Sequence, residues 1–257
     1  MPRDRTTHEQ AKLAAEHTPI EVARRIASNR PESHLRDFVY GAIDGCITTF
    51  AIVTGAVGAG LSSTVIIILG FANVVADGFS MAVGNYLGTK AEHQLLHHAR
   101  LTEENHVEVI PDGETEEIRE IFRQKGFEGD LLERVVNVVI SDRKLWVETM
   151  LKEEWGLSLI KRSPLKAAGV TFIAFLLVGL IPLAPFTVYF ILGIENNSAF
   201  WLSMMMTAAT FFGIGALKSR YVAEHWLRAG AETLCMGGGA AVLAYVVGML
   251  LRGLVDA

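Results

Sequence analysis

Five stretches of this chain, near residues 38–60, 64–87, 167–192, 199–217 and 231–251, are apolar over lengths close to the roughly 20 residues that a helix needs to cross ~30 Å of hydrocarbon. No other feature constrains the fold as strongly. A segment in lipid must pair its backbone groups internally, so such stretches are helical. Between about 90 and 160 the sequence changes character: it is polar, and it holds more than half of the 28 acidic residues. With 51% hydrophobic residues and a mean hydropathy of +0.33, the chain carries more apolar material than a soluble domain of its size. The expectation is an all-α polytopic membrane protein: a cytoplasmic N-terminal segment 1–36, transmembrane helices 1–2 within 37–89, a cytoplasmic acidic helical insert at 90–165, and transmembrane helices 3–5 within 166–257.

Charge sets the orientation. Arg24, Arg25, Arg30 and Arg36 precede the first span, Lys90, Arg100, Lys161, Arg162 and Lys166 lie in the insert, and Lys218, Arg220 and Arg228 lie between spans four and five. The turns near 58–63 and 193–198 carry none. Lys and Arg accumulate on the cytoplasmic side, so the N-terminus and insert are expected in the cytosol and the C-terminus outside, with Arg252 the one exception. The net charge of −5 offers no basic surface for nucleic acid. Cys46 and Cys235 both fall in apolar runs and make no disulfide framework or zinc-finger spacing. The N-terminus has no apolar core of a signal peptide, and with the short loops this suits a prokaryotic plasma membrane; a vacuolar or other organellar membrane is the alternative.

Residues 8–28 suit a surface helix interrupted near Pro19. Spans one and two are joined by a short turn and should form an antiparallel hairpin. Gly41 and Gly45, like Gly84 and Gly88, are four apart, a spacing that lets helices approach closely. In the insert, the second span continues as a helix beyond the membrane up to a break at PDG (111–113). Helices follow over ETEEIREIFRQKGF, with Gly126 and Gly129 marking its end, over LLERVVNVVIS, and over DRKLWVETMLKEEWGLSL. Pro182 and Pro185 predict a kink near the outer end of span three.

A carboxylate inside a membrane helix costs roughly 2.5–3.5 kcal/mol even on insertion scales. Asp44 in span one and Asp77 in span two are such residues. Asn73, Asp77, Met81 and Asn85 are each four apart and form one stripe, and Tyr40, Asp44 and Thr48 form a matching one. Two polar stripes on a hairpin can line a path. Carboxylate and amide oxygens suit Fe2+ or Mn2+, and the Met81 thioether favours Fe2+ over Mg2+ or Ca2+. The plain alternative is hydrogen bonding between helices. In the insert, Glu103 with His106, Glu114 with Glu117, and Met150 with Glu154 each place two donors on one helix face; taken singly, each is more often a solvated face than a metal site. His93, His97 and His98 are expected to be exposed.

These residues stand in segments that resemble the vacuolar iron transporter family of iron and manganese carriers, in a prokaryotic-type member. The likeness runs from about Asp37 onward and rests on YGAIDGCITTFAIVTG, ADGFSMAVGNYLGTKAE, PDGETEEIREIF with WVETMLKEEWGL, IPLAP and ETLCMGGGAA. It implies a homodimer of five-helix subunits, with the ion path between the first helices, that exports Fe2+ from the cytosol in exchange for protons. It implies that Asp44 and Met81 match intramembrane metal ligands. Glu103, Glu114, Glu117, Met150 and Glu154 would match metal-binding positions of a cytoplasmic domain that collects the ion. The sequence departs from the family at Asn73, where the eukaryotic pattern has Glu and where Asp77 one turn along supplies the charge, at His106 in place of Glu, and at Leu151 in place of Met.

The expected function is export of Fe2+, with Mn2+, by proton antiport. The partners are divalent metal ions, protons, the lipid bilayer and a second copy of the chain. No cofactor is tightly bound, and other divalent ions such as Zn2+ fit the donors of the insert. A membrane-anchored metal-binding or sensing protein is the alternative. An iron oxidase is disfavoured, because such sites draw Glu-x-x-His pairs from two helices and only Glu103-x-x-His106 occurs.

Overall fold

A computed structural model of the chain describes residues 7–27, 33–194, 198–222 and 224–254. The described residues form eleven α-helices, and the chain divides into two compact units, residues 1–33 and 34–257. The first holds α1 (Thr7–Glu16) and α2 (Pro19–Ala27). Pro19 opens α2 because a proline lacks only the N–H that a first turn leaves unused. Thr18 Oγ1 accepts from the Glu21 amide at 3.4 Å, and Arg24 pairs with Glu21 at 3.0 Å.

The second unit contains α3 (Leu35–Gly58), α4 (Ser63–Val109), α5 (Pro111–Gln124), α6 (Gly129–Ile140), α7 (Arg143–Glu153), α8 (Pro164–Gly179), α9 (Ala184–Leu192), α10 (Ser198–Val222) and α11 (Trp226–Leu251). Helices α3, α4, α10 and α11 are long and apolar enough to cross a membrane; α8 and α9, bent by 51° at a short break, make a fifth candidate. Ile68, Phe79, Leu243 and Leu250 on these helices are exposed, as suits hydrocarbon. The chain is a multi-pass membrane protein.

The break between α8 and α9 has a covalent cause. Pro182 and Pro185 cannot donate to the preceding turn. The Pro182 carbonyl is taken instead by the buried Ser203 hydroxyl of α10, at 2.6 Å. In contrast, no glycine or proline lies between Gly88 and Pro111, and α4 runs unbroken for 47 residues, about 70 Å at 1.5 Å per residue.

Helix α8 packs against both α3 and α4, and α3 packs also against α11. The small residues decide the first contact. A Cβ on Gly45 would lie 2.6 Å from the Phe175 carbonyl oxygen, and one on Gly41 would collide with Thr171. Gly41 and Gly45 thus draw α3 to α8 within the chain. Gly84 and Gly88 meet nothing within 4 Å among the described residues. Gly45→Val is expected to cost roughly 1–3 kcal/mol or more through overpacking, read as a lower Tm in detergent.

The polar region is a separate layer. Ile118, Leu132, Val136, Trp146 and Met150 join α5, α6 and α7, while Leu96, Ala99, Val147 and Leu151 fasten α7 to the polar end of α4. Two boundaries differ from the sequence reading. Gly129 opens α6 rather than closing α5, and α7 stops at Glu153 instead of running to Leu159. Gly156, at φ +64°, takes a left-handed conformation that ends the turn, so 155–163 is an irregular link.

Candidate metal centre

The polar end of α4 brings Glu103 and His106 to one face, and the break before Pro111 folds α5 back so that Glu114 in its first turn meets them. One donor atom from each of Glu103, His106 and Glu114 lies within 4.8 Å of the others. His106 Nδ1 is 3.2 Å from Glu114 Oε1. Both carboxylates are only 1% exposed, and the second oxygen of each finds no hydrogen-bond partner among the described residues. Two buried carboxylates with unused lone pairs are costly unless a cation or proton joins them.

The electrostatics agree. Burial pushes the Glu114 carboxyl up to about 7; the negative Glu117 and Glu103 add to this, His106 opposes it, and Glu154 adds a little more. Glu154 is raised too, by burial and then by Glu103 and Glu117. Glu117 and Glu154 therefore border the cluster, although both are exposed. Met150 is fully buried in the core beneath it. An imidazole and several carboxylate oxygens suit a divalent first-row ion or zinc. His93 departs from the expected exposure: it is half-buried, and its Nε2 is without a partner among the described residues.

Trp155 is a residue that sequence reasoning missed. The α7 terminus turns so that the Glu154 and Trp155 amides both donate to the Met150 carbonyl. The Trp155 indole then donates to Glu103 Oε1 at 2.8 Å, which fixes the carboxylate and leaves its other oxygen without a hydrogen-bond partner among the described residues. Trp155→Phe is expected to weaken metal binding by about 10-fold, within the 10–100-fold range of such supporting bonds, as measured by metal titration.

Within the spans, Asp44 lines a cavity of about 300 Å3 with Arg36, Val39, Tyr40 and Ile43. Met81 lines one of about 390 Å3 that shares Arg36 and Tyr40 and also holds Asp37, Asn85 and Arg162. Asp44 and Asp77 are close enough for their like charges to interact across α3 and α4. Asn73 has a buried amide nitrogen with no partner among the described residues. Two stripe residues do other work. Thr48 donates to the Asp44 carbonyl at 2.9 Å, and Asn85 Nδ2 reaches Thr171 Oγ1 at 2.7 Å, Asp37 Oδ1 at 3.1 Å and the Ala167 carbonyl at 3.3 Å, tying α4 to α3 and α8. Asp37 and Arg162 are the other residues the sequence did not single out as a site.

Cavity-lining acidic and thioether groups inside a helical bundle, with a buried Glu–His–Glu cluster outside it, define a membrane protein that handles cations. The chain belongs to the VIT family, whose model matches residues 35–249. It is 34% identical to a vacuolar iron transporter of Toxoplasma gondii over 251 residues, covering 93% of this chain and 83% of that one. It is 31% identical to vacuolar iron transporter 1 of Arabidopsis thaliana, covering 85% and 86%, and 30% identical to vacuolar iron transporter 2 of Oryza sativa, covering 88% and 93%. These are transporters, and the chain is a metal-ion transporter of that family rather than an enzyme.

Proposed function

We propose that this chain exports Fe2+, and with it Mn2+, from the cytosol in exchange for protons, as a homodimer of five-span subunits. The observation that carries this reading is that Asp44 and Met81, an oxygen and a sulfur donor, each line a cavity within the membrane-spanning helices. The names of the relatives supply the iron. The distribution of Lys and Arg supports a cytosolic polar domain, where Glu103, His106 and Glu114, bordered by Glu117, Glu154 and Met150, collect the ion. Asp77 and Asn73 lie along the same stripe as Met81 and extend the path. Glu114 holds a proton up to about pH 7. Arriving metal displaces it, which links metal uptake to proton release. Oxygen-rich donors separate Fe2+ from Mn2+ poorly, so both are carried.

The test is flux in proteoliposomes, with Fe2+ and Mn2+ compared under an imposed pH gradient. Metal-dependent flux that rises with an opposing proton gradient is expected. Tight metal binding by the full chain with no flux would overturn the carrier reading in favour of a membrane-anchored binding or sensing protein.

A further inference from the structure

Asp37 stands in the first turn of α3 and is 2% exposed, yet three side chains converge on its carboxylate. Oδ2 accepts from Arg162 Nη2 at 2.5 Å and lies 3.3 Å from His34 Nδ1, and Oδ1 accepts from Asn85 at 3.1 Å. The Asp37 carbonyl accepts from Thr171 Oγ1 at 3.4 Å. Helices α3, α4 and α8 and the irregular link 155–163 therefore meet at one acidic residue.

The setting of this pair distinguishes it from an ordinary structural bridge. Asp37 and Arg162 both line the cavity of about 390 Å3 that also holds Met81 and Glu92. Arg162 is carried by the link, not by a helix. At the other end of that link stands Trp155, whose indole holds Glu103. One short segment thus contacts the metal cluster at its start and the cavity at its end.

A buried carboxylate is costly unless a cation, a proton or hydrogen-bond donors compensate it, and at Asp37 the compensating charge is Arg162. A guanidinium does not lose its proton, so only another cation can take its place. A divalent ion in this cavity finds a hard oxygen ligand in Asp37, while Glu92 and Met81 line it about 16 Å apart along α4, one toward the polar end and one deeper in the span. We propose that Asp37 is a binding station for the divalent ion at the mouth of the path and that Arg162 is its tethered counter-ion, which the metal displaces. Displacement frees the end of the link, so occupancy of the cavity is felt at Trp155 and Glu103. This rests on the carrier reading. Arg162 is a positioning residue; Asp37 is the ligand.

The test uses the full chain in proteoliposomes, with Mn2+ as the probe. Arg162→Gln removes the competitor but keeps a hydrogen-bond donor. KM for Mn2+ is expected to fall by roughly 5-fold or more, the lower end of coupled binding equilibria, with no rise in kcat. A folded Arg162→Gln with the wild-type KM overturns the proposal. If that variant fails to fold because Asp37 is left uncompensated, the neutral pair Asp37→Asn with Arg162→Gln keeps the hydrogen bond. Its KM must rise above that of the wild type, and an unchanged KM overturns the proposal. Hydrogen exchange at 159–163, the end of the link that carries Arg162, is a readout independent of flux: Mn2+ should speed it in the wild type and leave it unchanged in the double variant, whose Glu103–His106–Glu114 cluster is intact. If the wild type moves no metal, the carrier reading fails by itself, and the exchange measurement still decides on Asp37 and Arg162.

Discussion

Asp44→Ala, reconstituted beside the wild type, is expected to lower Fe2+ or Mn2+ flux by on the order of a hundredfold, with metal binding at the Glu103–His106–Glu114 cluster unchanged. Supporting partners of a metal ligand are worth roughly 10–100-fold, and a ligand that carries the charge belongs at or above the top of that range. Asp44 lines its cavity among Arg36, Val39, Tyr40 and Ile43 and is the one carboxylate in that lining among the described residues; Asp77 on α4 is near enough for its charge to act on Asp44 but lies outside the lining. A divalent ion passing that point without an anion bears the full cost of leaving water. Asp44→Asn keeps the shape and removes only the charge, so it should behave like the alanine variant. Flux within twofold of the wild type in either would exclude Asp44 from the path.

The second large effect falls on Glu114→Gln. Metal affinity at pH 7.5 is expected to drop by on the order of a hundredfold or more, because the variant loses a ligand oxygen and its charge. The same change alters stability without metal. The folded chain raises the Glu114 carboxyl from 4.5 to about 7, so it holds a proton that the unfolded chain releases. The stabilising contribution is complete below about pH 4.5 and is lost as pH rises through about 7. Thermal melts of the metal-free wild type should fall over that window, and Glu114→Gln should flatten the fall. Metal affinity of the wild type should run the opposite way, rising by up to about tenfold per pH unit below 7 as each ion displaces one proton. A flat affinity between pH 6 and 8 would remove Glu114 from the site.

Much of this architecture was legible because its causes are local. Uninterrupted sequence from Gly88 to Pro111 predicts that α4 continues past the membrane, and the i, i+3 spacing of Glu103 and His106 predicts a shared face. Pro182 and Pro185 forecast the bend, although the consequence is two helices at 51° rather than one kinked span. What escaped the sequence depends on partners far along the chain. The Gly41 and Gly45 spacing announces close approach but cannot say that α8 is what approaches. Trp155 reaches Glu103 across 52 positions, and Arg162 reaches Asp37 across 125. Neither contact leaves a periodic trace. The early stop of α7 is a third case: Gly156 ends the turn at φ +64°, but a helix interior also tolerates a lone glycine, so the residue by itself does not announce the stop.

The unbroken course of α4 fixes how its two chemical regions can communicate. Met81 and Glu103 are 22 positions apart on one helix, about 33 Å along its axis. That is many times the span of one ion's coordination shell, so no ion can touch both at once. An ion that serves both regions must leave the first before it reaches the second, and any signal that one gives the other by contact must be carried as motion of the polypeptide itself.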